Sequence, residues 1–423
     1  MPPLTVIGLA LALIAPQTPA AATGDSLPQS LHLMPVPRHV ERRPGRLALD
    51  STFRIAITRH RSPRLERAAL RLLDRVEPII AAPLSRTITR DTAGAAPLLV
   101  IDVSRAGQHV QSPEEDESYT LTVNTRGAYL HATTTVGALR GLETVLQLVQ
   151  GDQTGFYLPA VSIEDAPRFA WRGLLVDVSR HFEPVDEIER TLDGMAAVKL
   201  NVFHWHLSDD QGVRVESRRF PLLQRRASDG QFYTQRQIRH IIAYARDRGI
   251  RVVPEFDMPG HSVAFITAYP ALASKRDTTY QLGRRWGGFY AVMDPTREHT
   301  YRFIDRFIGE MTSLFPDRYW HIGGDEVNGK QWNSQPHIVR FKRRHHLADN
   351  AALQAYFNRR LSRIVARHHR RMIGWDEVLH TDLPRGTIVQ SWRGTKYLGQ
   401  AAAMGFQGIL SAPYYLDAMR SAE

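Results

Sequence analysis

Short apolar runs that end in polar or aromatic residues recur through the second half of the chain, each followed by a stretch with helical periodicity. The runs are WRGLLVDVS (171–179), LNVFHWHLSDD (200–210), IRVVPEFDMPGH (250–261), YWHIGGDEV (319–327), RMIGWDEVL (371–379), GTIVQSWRG (386–394) and GILSAPYYLD (408–417). Between the second and third, Ile238, Ile241, Ile242 and Ala245 fall on one helical face, and Gly249 stands where a C-terminal cap belongs. Strands apolar on both faces that alternate with amphipathic helices predict a parallel α/β fold. Functional residue types stand at the ends of many strands rather than at one switch point, which predicts a (β/α)8 TIM-type barrel over an open sheet. Seven strands are legible before the chain stops at Glu423. The expectation is a barrel over 165–423 that lacks its last β/α unit, with two exposed strand edges and hence weak stability or activity.

Ahead of the proline-rich joint DAPRFAW (165–171), residues 30–160 mix strand-like runs (FRIAI, PLLVIDV, YTLTV, GAYLHAT) with a helix in which Leu139, Leu142, Val145, Leu146 and Val149 share a face. These predict a small α+β domain. The first residues hold an apolar run from Leu4 to Ala15, a proline break and the small residues Ala20, Ala21 and Ala22, the pattern of a signal peptide over 1–22 and therefore of export, periplasmic or secreted. The run is too short to span a bilayer, so no integral membrane segment is expected once the leader is removed.

Composition narrows the choice of function. With 43% hydrophobic residues in 423 the chain can bury a large core, and with no cysteine it has no disulfide, thiol nucleophile or thiolate metal site. The net charge of +11 comes largely from arginine, in runs such as RRHH (343–346) and RHHRR (367–371) that read as solvated helix faces. No interleaved aromatics or known motif accompany them, so no nucleic-acid partner is expected.

The chemistry is concentrated at the strand ends. Asp325 and Glu326 are adjacent carboxylates, a pair whose pKa values can separate so that one stays ionised while the other donates a proton. Glycosidic cleavage needs such an acid, together with negative charge or a nucleophile near the anomeric carbon. Trp375, Trp392 and Tyr415 offer stacking surfaces on successive strands, and Arg172 and Asp417 are candidates for binding hydroxyls. His204 and His206 share one side of a strand, a spacing also used by zinc sites. A metal-dependent barrel hydrolase, with His261 and His321 as further ligands, is the alternative enzyme. Strands five to seven end without histidine, and packed core histidines are the reading preferred.

Taken in order, NVFHWHLSDDQG, PEFDMPGH, HIGGDEV, GWDEVL, QSWRG and SAPYYLD closely resemble glycoside hydrolase family 20, the β-N-acetylhexosaminidases, over nearly everything after the leader. The resemblance implies cofactor-free, substrate-assisted retaining hydrolysis of terminal non-reducing N-acetylglucosamine or N-acetylgalactosamine. The substrate's own 2-acetamido oxygen attacks and gives an oxazolinium-type intermediate. It further implies Glu326 as general acid and then base, Asp325 holding the acetamido N–H, and Tyr415 bonding the acetamido oxygen. Trp375 and Trp392 would wall the pocket, Arg172 and Asp417 would bind hydroxyls, and Asp209 with His261 would support the acid. A chain that binds sugar without turning it over, as a product of truncation, is the remaining alternative.

Overall fold

The computed structural model describes residues 31–93, 98–285 and 291–416; the expected leader and Asp417 lie outside them. Residues 39–165 build a mixed sheet in the order His39–Leu49, Gly155–Asp165, Tyr119–Asn124, Gly127–Thr134, Leu98–Arg105, Arg54–Arg59 and Ile88–Thr89. Helices Pro63–Ile80 and Thr135–Gln147 pack together over it, each capped by a side chain, Ser62 and Thr134, that accepts an N–H of the first turn. The paired 11-residue strands at the sheet edge, His39–Leu49 and Gly155–Asp165, were not legible in the sequence. Pro159 and Glu164 interrupt alternation in one, and charged residues crowd the exposed other.

Among the described residues the second half supplies seven parallel strands: β1 Gly173–Asp177, β2 Val202–His206, β3 Arg251–Glu255, β4 Tyr319–His321, β5 Arg371–Trp375, β6 Ile388–Ser391 and β7 Gln407–Leu410. Each pairs with its neighbours in sequence, in one sheet that runs from β1 to β7. That order, with helices between strands, is the TIM-barrel arrangement. The helix Gln235–Asp247 follows the expected face and opens on a full capping box between Thr234 and Gln237. Both basic runs lie at helix ends, with Arg343, Arg344 and His346 exposed as expected. Arg370 instead reaches the carbonyls of Thr312 and Phe315.

Strand periodicity positions the site. Side chains two residues apart share a face, so Val202, His204 and His206 point one way while Phe203 and Trp205 join the packed helical layer. Val202, Val253, Tyr319, Ile373 and Ile388 form an apolar layer of their own. Two and four residues further along the same faces stand His204, His206, Glu255, His321 and Trp375. The barrel interior is thus apolar toward the strand starts and polar toward their C-terminal ends, where TIM-barrel chemistry resides.

Candidate active site

Glu255, fully buried at the end of β3, is the centre of the site floor. Its Oε2 lies 2.8 Å from both His204 Nε2 and His206 Nδ1, and its Oε1 accepts the Trp375 indole N–H at 2.8 Å with His321 Nδ1 at 3.1 Å. Burial alone raises a carboxylate's pKa, but the three histidines outweigh it and hold Glu255 well below its usual range. Burial pushes His204 down to about 4. His206 is raised against burial by Glu255 and Asp177, so it carries the positive charge that makes the buried carboxylate tolerable.

His204, Glu255 and His321 are also close enough to suggest ligands, as are Asp209, Asp257 and His261. Two donors on one zinc at about 2.0–2.1 Å in tetrahedral geometry stand more than about 3 Å apart. Glu255 Oε2 lies 2.8 Å from His204 Nε2 and from His206 Nδ1, closer than two such zinc ligands stand.

From this floor a relay rises to the expected acid. His206 Nε2 lies 3.0 Å from Asp209 Oδ2, Asp209 Oδ1 lies 3.0 Å from His261 Nδ1, and His261 Nε2 lies 3.3 Å from Glu326 Oε2. The choice of Asp209 over Asp210 agrees with this geometry: Asp210 spends Oδ1 on the Val263 N–H, and its other oxygen is 3.8 Å from His261. Burial favours neutral Asp209 and neutral His261, but their mutual bond, the His206 bond to Asp209 and the Glu326 bond to His261 prevail. Asp209 falls well below, and His261 rises well above, its ordinary value. The His261 bond in turn lowers Glu326. Both His261 (φ 44°) and Glu326 (φ 52°) occupy the left-handed region that non-glycine residues avoid, a strain of the kind concentrated at functional sites.

The neighbouring carboxylate faces elsewhere. Asp325 has a buried Oδ1 with no hydrogen-bond partner among the described residues, and its carboxylate stands close enough to the fully buried Asp257 for the two to interact strongly. Burial, and then the charge of Asp325, push Asp257 well above its ordinary value, so Asp257 holds a proton. The two glycines before Asp325 make room for this. A Cβ on Gly323 (φ +63°) would meet Asp257 Oδ1 at 1.9 Å, and the Gly324 N–H donates to the same oxygen at 2.8 Å.

The remaining expected residues divide. Trp375, 7% exposed, is tied to Glu255 and stacks on His204, with ring centroids 5.9 Å apart. Trp392 is partly buried at the end of β6, and Tyr415, 43% exposed, follows β7. Arg172 is not in the site. It precedes β1, at the opposite end of the barrel, where it donates to the Lys199 and Phe169 carbonyls and to Glu117. Glu117 also binds Arg140 and Asn201, so Arg172 belongs to the joint between the two halves of the chain, and its assignment to sugar hydroxyls is corrected. The arginine at the right end is Arg180, three residues past β1, which reaches Asp177 at 2.6 Å and Asp209 at 2.8 Å. Both arginines flank the same apolar run, and only the rule that barrel sites gather at strand C-termini separates them. Asp257 and Glu377 were also missed; Asp257 stands inside the PEFDMPGH motif, two residues past β3, where a strand-end carboxylate signals chemistry.

A sequence model of the glycosyl hydrolase family 20 catalytic domain matches residues 169–423, and that family's domain 2 matches residues 30–166. The chain belongs to glycosyl hydrolase family 20. It is 40% identical over 332 residues to the β-hexosaminidase β subunit of Mus musculus, covering 76% of this chain and 61% of that protein. It is 33% identical over 409 residues to a Porphyromonas gingivalis β-hexosaminidase, covering 92% and 51%. The solved Flavobacterium johnsoniae chitobiase is 41% identical with a TM-score of 0.87, covering 92% of this chain and 60% of that one. A Vibrio harveyi exo-β-N-acetylglucosaminidase of the family, solved with N-acetylglucosamine bound, is 29% identical with a TM-score of 0.75, covering 89% and 60%. The chain thus spans about half to six-tenths of the length of these relatives. No helix among the described residues is long and apolar enough to cross a membrane.

Proposed function

We propose that this chain is an exo-acting β-N-acetylhexosaminidase that removes terminal N-acetylglucosamine or N-acetylgalactosamine from glycans, including chitin fragments, with retention. One observation carries the reading: adjacent carboxylates have opposite surroundings, Glu326 on the His261–Asp209 dyad and partly open to solvent, Asp325 against the proton-holding Asp257.

In the first step the acetamido oxygen of the bound sugar attacks the anomeric carbon as the glycosidic C–O bond breaks, and Glu326 gives its proton to the departing oxygen. Asp325 accepts the acetamido N–H and offsets the positive charge that develops on the oxazolinium ring. Water then adds to the anomeric carbon, Glu326 takes its proton, and the acetamido group is restored. His261 holds Glu326 below its usual range. A sugar that excludes water from this half-exposed carboxyl raises it, so the proton is loaded as the substrate seats. Trp375 and Trp392 flank the acetamido methyl, the Tyr415 hydroxyl holds the acetamido oxygen, and Arg180 and Asp417 bind ring hydroxyls. Residues 1–22 direct export.

The test is release of nitrophenol from the aryl β-N-acetylglucosaminide beside the aryl β-glucoside that lacks the acetamido group. Turnover of the first with near silence on the second is expected; equal rates on both refute acetamido participation.

A further inference from the structure

The mechanism leaves unused a second acidic pair, Asp376 and Glu377. Residues 373–378, Ile-Gly-Trp-Asp-Glu-Val, repeat residues 322–327, Ile-Gly-Gly-Asp-Glu-Val, with one change. In the second copy a single 3-10 turn, Asp376–Val378, directs both carboxylates at the end of the next strand. Asp376, 2% exposed, accepts through Oδ2 the Ser391 hydroxyl (3.1 Å) and the backbone N–H groups of Trp392 (3.1 Å) and Arg393 (3.2 Å), while Arg393 Nε donates to its Oδ1. Glu377 accepts the Trp392 indole N–H with both oxygens, at 3.0 and 3.2 Å. One dipeptide just past β5 therefore fixes the backbone of residues 392–393 and the ring that hangs from it.

We propose that Glu377 is a positioning residue: by holding the Trp392 indole in one orientation it sets the pocket wall that limits the size of the substrate's N-acyl group. This rests on the hexosaminidase reading. An indole has a single donor, so one acceptor at fixed distance determines how the ring is turned. A half-buried ring without it is free to swing away from the space beside Asp325. The charged groups that face Glu377 are Asp325, from the loop after β4, and Arg393, from the loop after β6. Burial raises Glu377 most; the indole bond and Arg393 oppose this and Asp325 adds to it, leaving the group at about 7. Either protonation state keeps a carbonyl-type oxygen for the indole, so orientation persists on both sides of neutrality.

The experiment compares wild type with Glu377→Leu, which removes the acceptor, Glu377→Gln, which keeps one, and Trp392→Phe. The first readout needs no substrate: in the 15N-tryptophan spectrum, the indole N–H resonance that disappears in Trp392→Phe is shifted in Glu377→Leu and stays near its wild-type position in Glu377→Gln. The second is kcat/KM on aryl glycosides carrying N-acetyl, N-propanoyl and N-butanoyl groups. Wild type falls steeply along the series, Glu377→Leu narrows the acetyl-to-butanoyl ratio by about tenfold, a discrimination of the size one or two methylenes provide in a closed pocket, and Glu377→Gln retains most of it. An unmoved resonance and an unchanged ratio in Glu377→Leu overturn the assignment while the hydrolase reading stands. A wild-type chain inactive on the whole series, with a moved resonance, overturns the hydrolase reading and the substrate role given to Glu377 together.

Discussion

Hexapeptides 322–327 and 373–378 end neighbouring strands, β4 and β5, of one sheet and differ only in glycine against tryptophan at the third position. At Gly324 the backbone takes φ +93° and the chain continues into Glu326 at φ 52°, which turns the glutamate toward His261 and leaves the aspartate against Asp257. Trp375 keeps extended backbone (φ −61°, ψ 164°) and enters a short 3-10 turn, so its aspartate is buried under backbone N–H groups and its glutamate meets an indole. Identical dipeptides thus acquire opposite tendencies: Glu326 is lowered by an imidazolium, and Glu377 is raised mainly by burial. Partners, rather than residue type, decide which carboxylates react and which hold the scaffold.

The largest effects should separate the two copies most cleanly. Glu326→Gln is expected to lower kcat on a substrate with a poor leaving group by about 10²–10⁴-fold, the usual worth of a general acid, whereas Glu377→Gln changes kcat on the N-acetyl substrate by only a few-fold. Comparable losses in steady-state assays of both would erase the distinction. Asp325→Asn should cost about 10²–10³-fold, as removal of a charge-stabilising group does, with an unchanged melting temperature. Asp376→Asn should act in reverse, lowering the melting temperature by weakening the Arg393 pair and the capped N–H groups while leaving residual activity.

A smaller contrast tests the two arginines. Arg180→Ala should reduce kcat/KM by about 10–100-fold, the worth of a charged hydrogen bond or two, with a modest change in melting. Arg172→Ala should destabilise by about 2–3 kcal/mol, because Glu117 stays buried with one cation fewer, and should leave KM unchanged. A KM effect confined to Arg172→Ala would place Arg172, and not Arg180, at the sugar.

The smallest effects are in pH dependence. Asp209 is depressed in the folded chain, so its contribution to stability is full above its unfolded value near 3.9 and is lost as pH falls below it. Glu377 has the opposite sign: held at about 7, it binds more proton folded than unfolded, and stability declines as pH rises from about 4.3 toward 7. Thermal melts across pH should therefore flatten on the acid side in Asp209→Asn and between 4.5 and 7 in Glu377→Gln; unchanged profiles would contradict both assignments.

Much of this was legible in the residues. Apolar runs with helices between them located the seven barrel strands among the described residues; the central ones, β2 to β6, are buried on both faces and have no polar alternation to disguise them. Asp209, His261, Asp325 and Glu326 were found because they stand just past strand ends inside recognisable motifs, and the structure brings these four together. Arg172 was misplaced because a residue before a strand and a residue after it look alike until direction is imposed. Asp257 and Glu377 stayed hidden because what marks them is a partner distant in sequence, Asp325 for one and Trp392 for the other. Nothing in a linear motif states that pairing. The strand His39–Leu49 escaped for a further reason: mostly exposed and highly charged, it depends on pairing with Gly155–Asp165 across more than 100 residues rather than on a local apolar pattern.

The division of labour between Asp325 and Glu326 is tested most directly by leaving-group dependence. First-turnover phenol release should be compared for wild type, Glu326→Gln and Asp325→Asn on 2,4-dinitrophenyl and phenyl β-N-acetylglucosaminides. Dinitrophenolate leaves without a proton, so Glu326→Gln is expected to be nearly normal on that substrate and severely slowed on the phenyl glycoside, while Asp325→Asn is slow on both. If Glu326→Gln were slowed equally on the two, or Asp325→Asn were rescued by the better leaving group, the roles assigned to these neighbours would be wrong.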